Sequence, residues 1–306
     1  MRAGTDTSVR NDLPTTLLDQ FVAGRTELLD HQAVDLAHAR EATYVVSNEI
    51  TYEYPAPIRR LRHQLVVIPR RRHGDQRRLA HRLRADLPHD AAMRRRDDRF
   101  GNAVVEIHAD EIGERFSFGL HAVVHRCRDR AEQRSWHDVH RAPTPLTATD
   151  RALREAAHDL APAATGLDAA LAIGEAVRGE MADAPGATTV RTSAAEAWSL
   201  RRGVCQDMAH VMIAMCRTRG LHARYVSGHL LGDGASHAWV EVHDRWTPAR
   251  PGLAFDPTHG READLRYVTV AVGRDYRDVA PTAGSYGAGP PGSLTVHKRV
   301  ALASVG

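Results

Sequence analysis

The sequence predicts an α+β fold in two parts, an N-terminal antiparallel β-sandwich followed by an α+β core. Three observations predict it. From Tyr44 to about residue 140, short runs rich in β-branched and aromatic residues (YVVSNEITYEY, LRHQLVVIP, AVVEIHAD, ERFSFGLHAVVHRC) alternate with Pro, Gly, Asp and Arg clusters, the spacing of antiparallel strands. Helical patterns then take over in DRALREAAHDLA, GLDAALAIGEAVRGEM, TSAAEAWSLR and CQDMAHVMIAMCRTRG. Strand texture returns in ARYVSGHLL, SHAWVEVH and GLAFDPT. The segment RAPTPLTATD, with two prolines, reads as the linker. These readings divide the chain into an N-terminal appendage at 1–43, a sandwich at 44–142 and a core unit at 143–306 that ends in a C-terminal β segment.

Individual elements follow from local chemistry. Within 1–42, Leu28, Leu29, Val34 and Leu36 predict a helix of modest stability. Thr192 or Ser193 is placed to cap the TSAAEAWSLR helix, with Glu196 one turn later. In the next helix Met208, Val211, Met212 and Met215 recur at three- and four-residue spacing, which predicts a buried helix, and Gly220 stands at its C-terminal cap. GDGA reads as a hairpin connection between ARYVSGHLL and SHAWVEVH. The tail alternates strands, LRYVTVAV and LTVHKRVALA, with the loop APTAGSYGAGPPG.

Composition narrows the function classes. A 306-residue chain with 42% hydrophobic and 26% charged residues has the balance of a globular protein. Three scattered cysteines form no disulfide framework. No run approaches the ~20 apolar residues of a bilayer span, and the first residues lack a secretory core segment; a cytoplasmic protein without membrane attachment is expected. Net charge is +3, but Arg59 to Arg99 carries fourteen arginines against five acids. Nucleic acid could meet that face. Interleaved acids and missing aromatic residues favour a solvated surface, and arginine replaces lysine almost throughout, Lys298 being the single lysine. No HExxH or paired-cysteine spacing brings His210, His222, His229 or His243 together with Cys205, so neither a metal nor a cofactor is expected.

One constellation carries chemistry. Cys205 opens the buried helix, where unpaired N–H groups favour a thiolate. Gly203 permits close approach of a substrate carbonyl, whose oxyanion could rest on the Cys205 amide. His237 lies at the start of SHAWVEV, on a strand face shared with Trp239 and Glu241, while Ala238, Val240 and Val242 take the other. Asp256, in AFDPT, stands at the end of the adjacent strand and can orient the imidazole. Cys205, His237 and Asp256 thus form a candidate catalytic triad. Gln206 and Trp239 are candidate substrate contacts, although first-turn capping by Gln206 and Asp207 and a wall role for Trp239 are equally structural readings. Cys127 and Cys216 are assigned to the core.

At these residues the sequence resembles the bacterial transglutaminase-like proteins of the papain-like superfamily. GVCQD, GLHARYVSGHL, SHAWVEV and FDPTHG carry the likeness in the core, YEYPAPIRRLRHQLVVIPR in the preceding β-rich domain, and VAVGRDYRDVAPTAGSYGAG near the C-terminus. The resemblance implies a β-sandwich, a papain-like core and a Cys-His-Asp triad, carried onto Cys205, His237 and Asp256. It implies a cysteine enzyme acting on amide or peptide bonds of a protein or peptide substrate through a thioester, with hydrolysis favoured over amine transfer. Association with ATP-grasp-type peptide-modifying ligases is a further implication. His259 departs from the asparagine common in the family, and RWTPARPGLAF is a longer lead into the Asp256 strand. The competing readings are a non-catalytic binding scaffold of the same fold and nucleic-acid binding through residues 59–99.

Overall fold

The computed structural model describes residues 15–130, 132, 134–160, 162–232, 236–247 and 252–306. A short helix, α1 (Thr15–Val22), precedes seven strands: β1 (Glu41–Glu53), β2 (Ile58–Ile68), β3 (Arg72–His73), β4 (Gln76–Asp86), β5 (Ala92–Asp97), β6 (Ala103–Ile112) and β7 (Arg115–Cys127). Next come α2 (Arg151–Asp159), α3 (Gly166–Glu180), β8 (Ala182–Asp183), α4 (Ala194–Leu200), β9 (Arg202–Gly203) and α5 (Cys205–Thr218). The chain continues through β10 (His222–Leu230), β11 (Ser236–His243), β12 (Leu253–Asp256), β13 (Arg261–Glu262), β14 (Tyr267–Gly273) and α6 (Tyr276–Val279), and finishes with β15 (Thr282–Ser285) and β16 (Ser293–Val305).

The fold is α+β, as the alternation of strand and helix textures predicts. Two sheets, ordered β16-β1-β7-β4-β3 and β15-β2-β6-β5, make the sandwich, and every pairing within them is antiparallel. Ile50, Leu65, Ile107, Phe116, Phe118 and Leu120 belong to one buried cluster drawn from β1, β2, β6 and β7. The side chains are those of the alternating hydrophobic pattern, whose period of two sends them to one face of each strand. The tail corrects the sequence boundary: β15 pairs with β2 and β16 with β1 over its length. The segment grouped by order along the chain with the core therefore completes the sandwich.

Residues 15–40 also differ from expectation. No helix forms across Leu28 to Leu36. The Asp30 carboxylate accepts from the Gln32 N–H and the Asp35 carboxylate from Ala37 N–H, local bonds that compete with a helical ladder. Leu29 makes an antiparallel bridge with Leu302, while Leu18 of α1 and Leu36 are buried, so this segment packs on the sandwich.

The core is a five-stranded antiparallel sheet, β13-β12-β11-β10-β14, with α5 packed against β10 and β11. Met208, Val211, Met212 and Met215 of α5 are fully buried, in one cluster with Ala238, Val240 and Val242 of β11. Trp239 lies in a separate cluster with Phe100 and Tyr267, so the two faces of β11 are as the sequence alternation indicates. Ser193 caps α4 in a reciprocal box with Glu196, and Gly220 has φ of +78° just beyond α5. Most of the GDGA connection and part of RWTPARPGLAF lie outside the described residues.

Two amide side chains join sandwich to core. Gln76 donates to the Thr269 carbonyl at 2.7 Å and accepts from the Thr269 N–H at 2.8 Å. Asn102 does the same at Val272, at 2.7 and 2.9 Å. Both act on β14, an edge strand, and satisfy backbone groups that a neighbouring strand would otherwise pair. Glu241, buried at the same junction, accepts from His73 at 2.8 Å and from Arg224 at 2.8 Å. Part of the arginine-rich segment is paired with acids: Arg59 with Glu111, Arg72 and Arg77 with Glu132, and Arg96 with Glu106. Among the described residues no helix is long and apolar enough to cross a membrane.

Candidate active site

Cys205 is the first residue of α5 and is partly exposed. Its neighbourhood is set by Asp207, one turn in, whose carboxylate accepts from the Val204 N–H at 2.8 Å and from the Thr188 hydroxyl at 2.6 Å. The first is helix capping from the third position; the second pins the 184–193 loop beside the cysteine. Burial is the leading cause that pushes the Asp207 carboxyl upward, against those two bonds. Gly203 is required for a plain reason. A Cβ there would sit 2.6 Å from the Asp207 Cβ, closer than any carbon contact allows.

His237, at the start of β11, is only 4% exposed. Its Nε2–H donates to Asp256 Oδ2 at 2.7 Å, and the Cys205 sulfur is close enough to favour the charged ring. Burial opposes the charged ring, yet the Asp256 and Cys205 interactions outweigh it and raise the His237 pKa to about 9. Behind the ring, Trp239 lies nearly parallel at a centroid distance of 6.4 Å and meets Tyr267 edge-on at 5.2 Å. Gly228, opposite His237 on β10, makes room for that tryptophan: a Cβ there would be 2.4 Å from its ring.

Asp256 is fully buried at the end of β12. Its Oδ2 accepts three bonds at 2.7 Å each, from His237, from His259 Nδ1 and from the Tyr267 hydroxyl. Its Oδ1 accepts from the Thr258 and His259 N–H groups. Burial alone would favour the neutral acid, but His237 and the other donors hold the carboxyl well below its usual range. Tyr267 in turn accepts from Arg261 Nε at 3.0 Å, while burial and the Asp256 charge push its phenol far upward. It therefore remains a donor.

The structure brings Cys205, His237 and Asp256 together from one helix and two adjacent strands. Gln206, in the first turn with Cys205, is 9% exposed. Trp239 is 2% exposed and stacked behind His237, so its contact is with the imidazole and not with solvent. Cys216 is fully buried, its thiol pushed up to about 12 by burial, the opposite of an activated nucleophile. Tyr267 escaped sequence reasoning, and His259, noted there only as a departure from the family's asparagine, was given no bond to Asp256. The spacing of three residues from Asp256 could have suggested the His259 bond; Tyr267 offered no signal beyond being aromatic at a strand start.

Residues 44–125 match the profile of the bacterial transglutaminase-like N-terminal region, and residues 154–251 that of the transglutaminase-like superfamily. An uncharacterized protein of Mycobacterium tuberculosis (strain ATCC 25618 / H37Rv) is 44% identical over 114 residues, covering 32% of this chain and 35% of the relative. One from Mycobacterium leprae is 42% identical over 112 residues, covering 33% and 38%. The match thus spans about a third of the length of these relatives. A crystal structure from Cytophaga hutchinsonii, described as that of a proposed cysteine protease, superposes with a TM-score of 0.70 at 23% identity, covering 86% of this chain and 91% of that one. It shares the fold.

Proposed function

Because the chain belongs to the bacterial transglutaminase-like proteins, we propose that it is a cysteine enzyme that cleaves amide or peptide bonds through a thioester on Cys205. The observation that carries this reading is the single buried imidazole that donates to buried Asp256 at 2.7 Å and that this carboxylate and the Cys205 sulfur together favour in its charged form. Such a ring can hold a proton beside sulfur at neutral pH and release it to a leaving group.

The steps follow from those positions. The sulfur of Cys205 attacks the carbonyl carbon, forming a C–S bond, and the oxyanion is received by N–H groups at the start of α5. The His237 proton passes to the departing nitrogen, the C–N bond breaks, and ammonia or an amine leaves. Water then gives a proton to His237 as its oxygen attacks the thioester. The C–S bond breaks, the acid departs, and the thiolate–imidazolium pair is restored. Asp256 stays ionised throughout, fixing the Nε2–H tautomer. Hydrolysis is the favoured outcome because it requires no second-substrate pocket; a primary amine in place of water would give transfer from the same thioester.

The test is mass spectrometry of peptide and glutamine donors incubated with the protein, with and without a primary amine, and with Cys205→Ala as control. Backbone cleavage or ammonia release that disappears in Cys205→Ala is expected. Product formation unaffected by Cys205→Ala would overturn the reading, and amine incorporation in place of hydrolysis would assign a transferase.

A further inference from the structure

Two groups of side chains among the described residues place three metal-ligating atoms close together: His237, Asp256 and His259 in the candidate active site, and Glu41, His125 and Cys127 on the sandwich. Distances separate them. In the first, both imidazoles stand 2.7 Å from one carboxylate oxygen, the length of a hydrogen bond whose proton fills the gap. In the second, His125 Nε2 and Glu41 Oε2 are 3.6 Å apart. That is too long for a hydrogen bond and close to the ~3.4 Å edge of a tetrahedron with zinc–ligand bonds of about 2.1 Å.

Strand register builds the group. Glu41 faces Cys127 and Thr43 faces His125 across β1 and β7, so alternate residues put all four side chains on one face at one end of the sheet. The Thr43 hydroxyl meets His125 Nδ1 at 3.2 Å. This orients the ring with Nε2 toward Glu41, the role an outer hydrogen bond plays for a metal-bound imidazole. Exposure is graded: Cys127 is 6% exposed, the His125 side chain 20% and the Glu41 side chain 50%. The thiol forms the floor, and solvent enters at the carboxylate.

We propose that Glu41, His125 and Cys127 bind one zinc-class divalent ion, with water as the fourth ligand, at a site separate from the catalytic centre. Thiolate and imidazole select zinc or cobalt over magnesium or calcium, which take oxygen ligands. On binding, the Cys127 thiol gives its proton to solvent and the sulfur bonds the metal. The ion ties the start of β1 to the end of β7, where Glu41 and Gly306 also exchange both backbone hydrogen bonds at 3.0 Å. It acts as a clip on the central strands of the sandwich.

The experiment titrates the chelator-stripped full chain with Co2+, read by the thiolate-to-cobalt charge-transfer band, and with Zn2+, read by calorimetry and thermal unfolding. Saturation at one ion per chain is expected, with a band that persists in Cys205→Ser and vanishes in Cys127→Ser. Zinc should raise Tm in the wild type but not in Cys127→Ser. His125→Asn, a change on the partly exposed row, should weaken affinity at least tenfold, and Thr43→Val about tenfold. A band that survives Cys127→Ser and disappears in Cys205→Ser would place the metal at the catalytic thiol and overturn the proposal, as would the absence of saturable uptake.

Discussion

Replacing Asp256 by asparagine tests the electrostatic core of the proposed mechanism. The His237 ring is buried, which by itself disfavours its charge, yet its pKa is raised from 6.5 to about 9. The difference, 9 − 6.5, is about 2.5 units, or roughly 3 kcal/mol of preferential stabilisation of the imidazolium. Asp256 and Cys205 supply it, Asp256 first. Asp256→Asn should therefore bring the titration of His237 down by about 1.5 units and leave the ring about half neutral at pH 7.5. At ~1.4 kcal/mol per tenfold, losing about 2 kcal/mol of that stabilisation lowers kcat/KM roughly thirtyfold. Stability should respond with a definite sign. A raised histidine pKa contributes stability that is fully present below pH 6.5 and lost as pH rises through about 9. The deficit of Asp256→Asn should accordingly be largest at pH 6 and shrink above pH 9. Histidine-ring NMR from pH 5 to 10 in chelator, with urea unfolding at each end, measures both. A wild-type His237 that titrates at or below 6.5, or one unmoved by Asp256→Asn, refutes the reasoning.

Tyr267→Phe removes one donor from the ionised Asp256 and leaves Arg261 Nε without its acceptor; a loss of about 1.5–3 kcal/mol in stability and a lower kcat at unchanged KM are expected, measured by urea unfolding and steady-state kinetics. Asn102→Ala strips an N–H and a carbonyl of Val272 in β14 of their partners and should destabilise the protein by several kcal/mol, with increased hydrogen exchange at Val272 as the check. His81, His140, His210 and His229 are each held down to about 3 by burial. Because the unfolded chain takes up their protons first, each should cost up to ~1.4 kcal/mol per pH unit below 6.5. The urea midpoint should fall steeply from pH 6.5 to 5, where four histidines act together, and only gently from 7 to 8, where the rising pH removes the contribution of His237 alone.

Local signals were readable where local chemistry decides. The cysteine at a helix start, the histidine at a strand end and the aspartate before a proline turn each announce themselves within a few residues, and the apolar spacing of α5 predicts its burial. Contacts far apart along the chain left no such mark. Gln76 reaches Thr269 and Asn102 reaches Val272 across well over a hundred residues, and neither glutamine nor asparagine in a loop or strand start advertises a partner. The return of β15 and β16 to the sandwich was equally hidden, since a strand's composition does not name the sheet it joins. The helix expected over Leu28 to Leu36 failed because Asp30 and Asp35 divert the backbone into turns, a competition that hydrophobic spacing does not register.

Because β15 and β16 rejoin sheets begun by β1 and β2, the transglutaminase-like half is an insert whose two ends are both moored to one host. A domain hung from one linker can swing; one moored twice cannot rotate away without tearing a strand from each sheet. Cys205 and His237 both lie within this doubly moored insert.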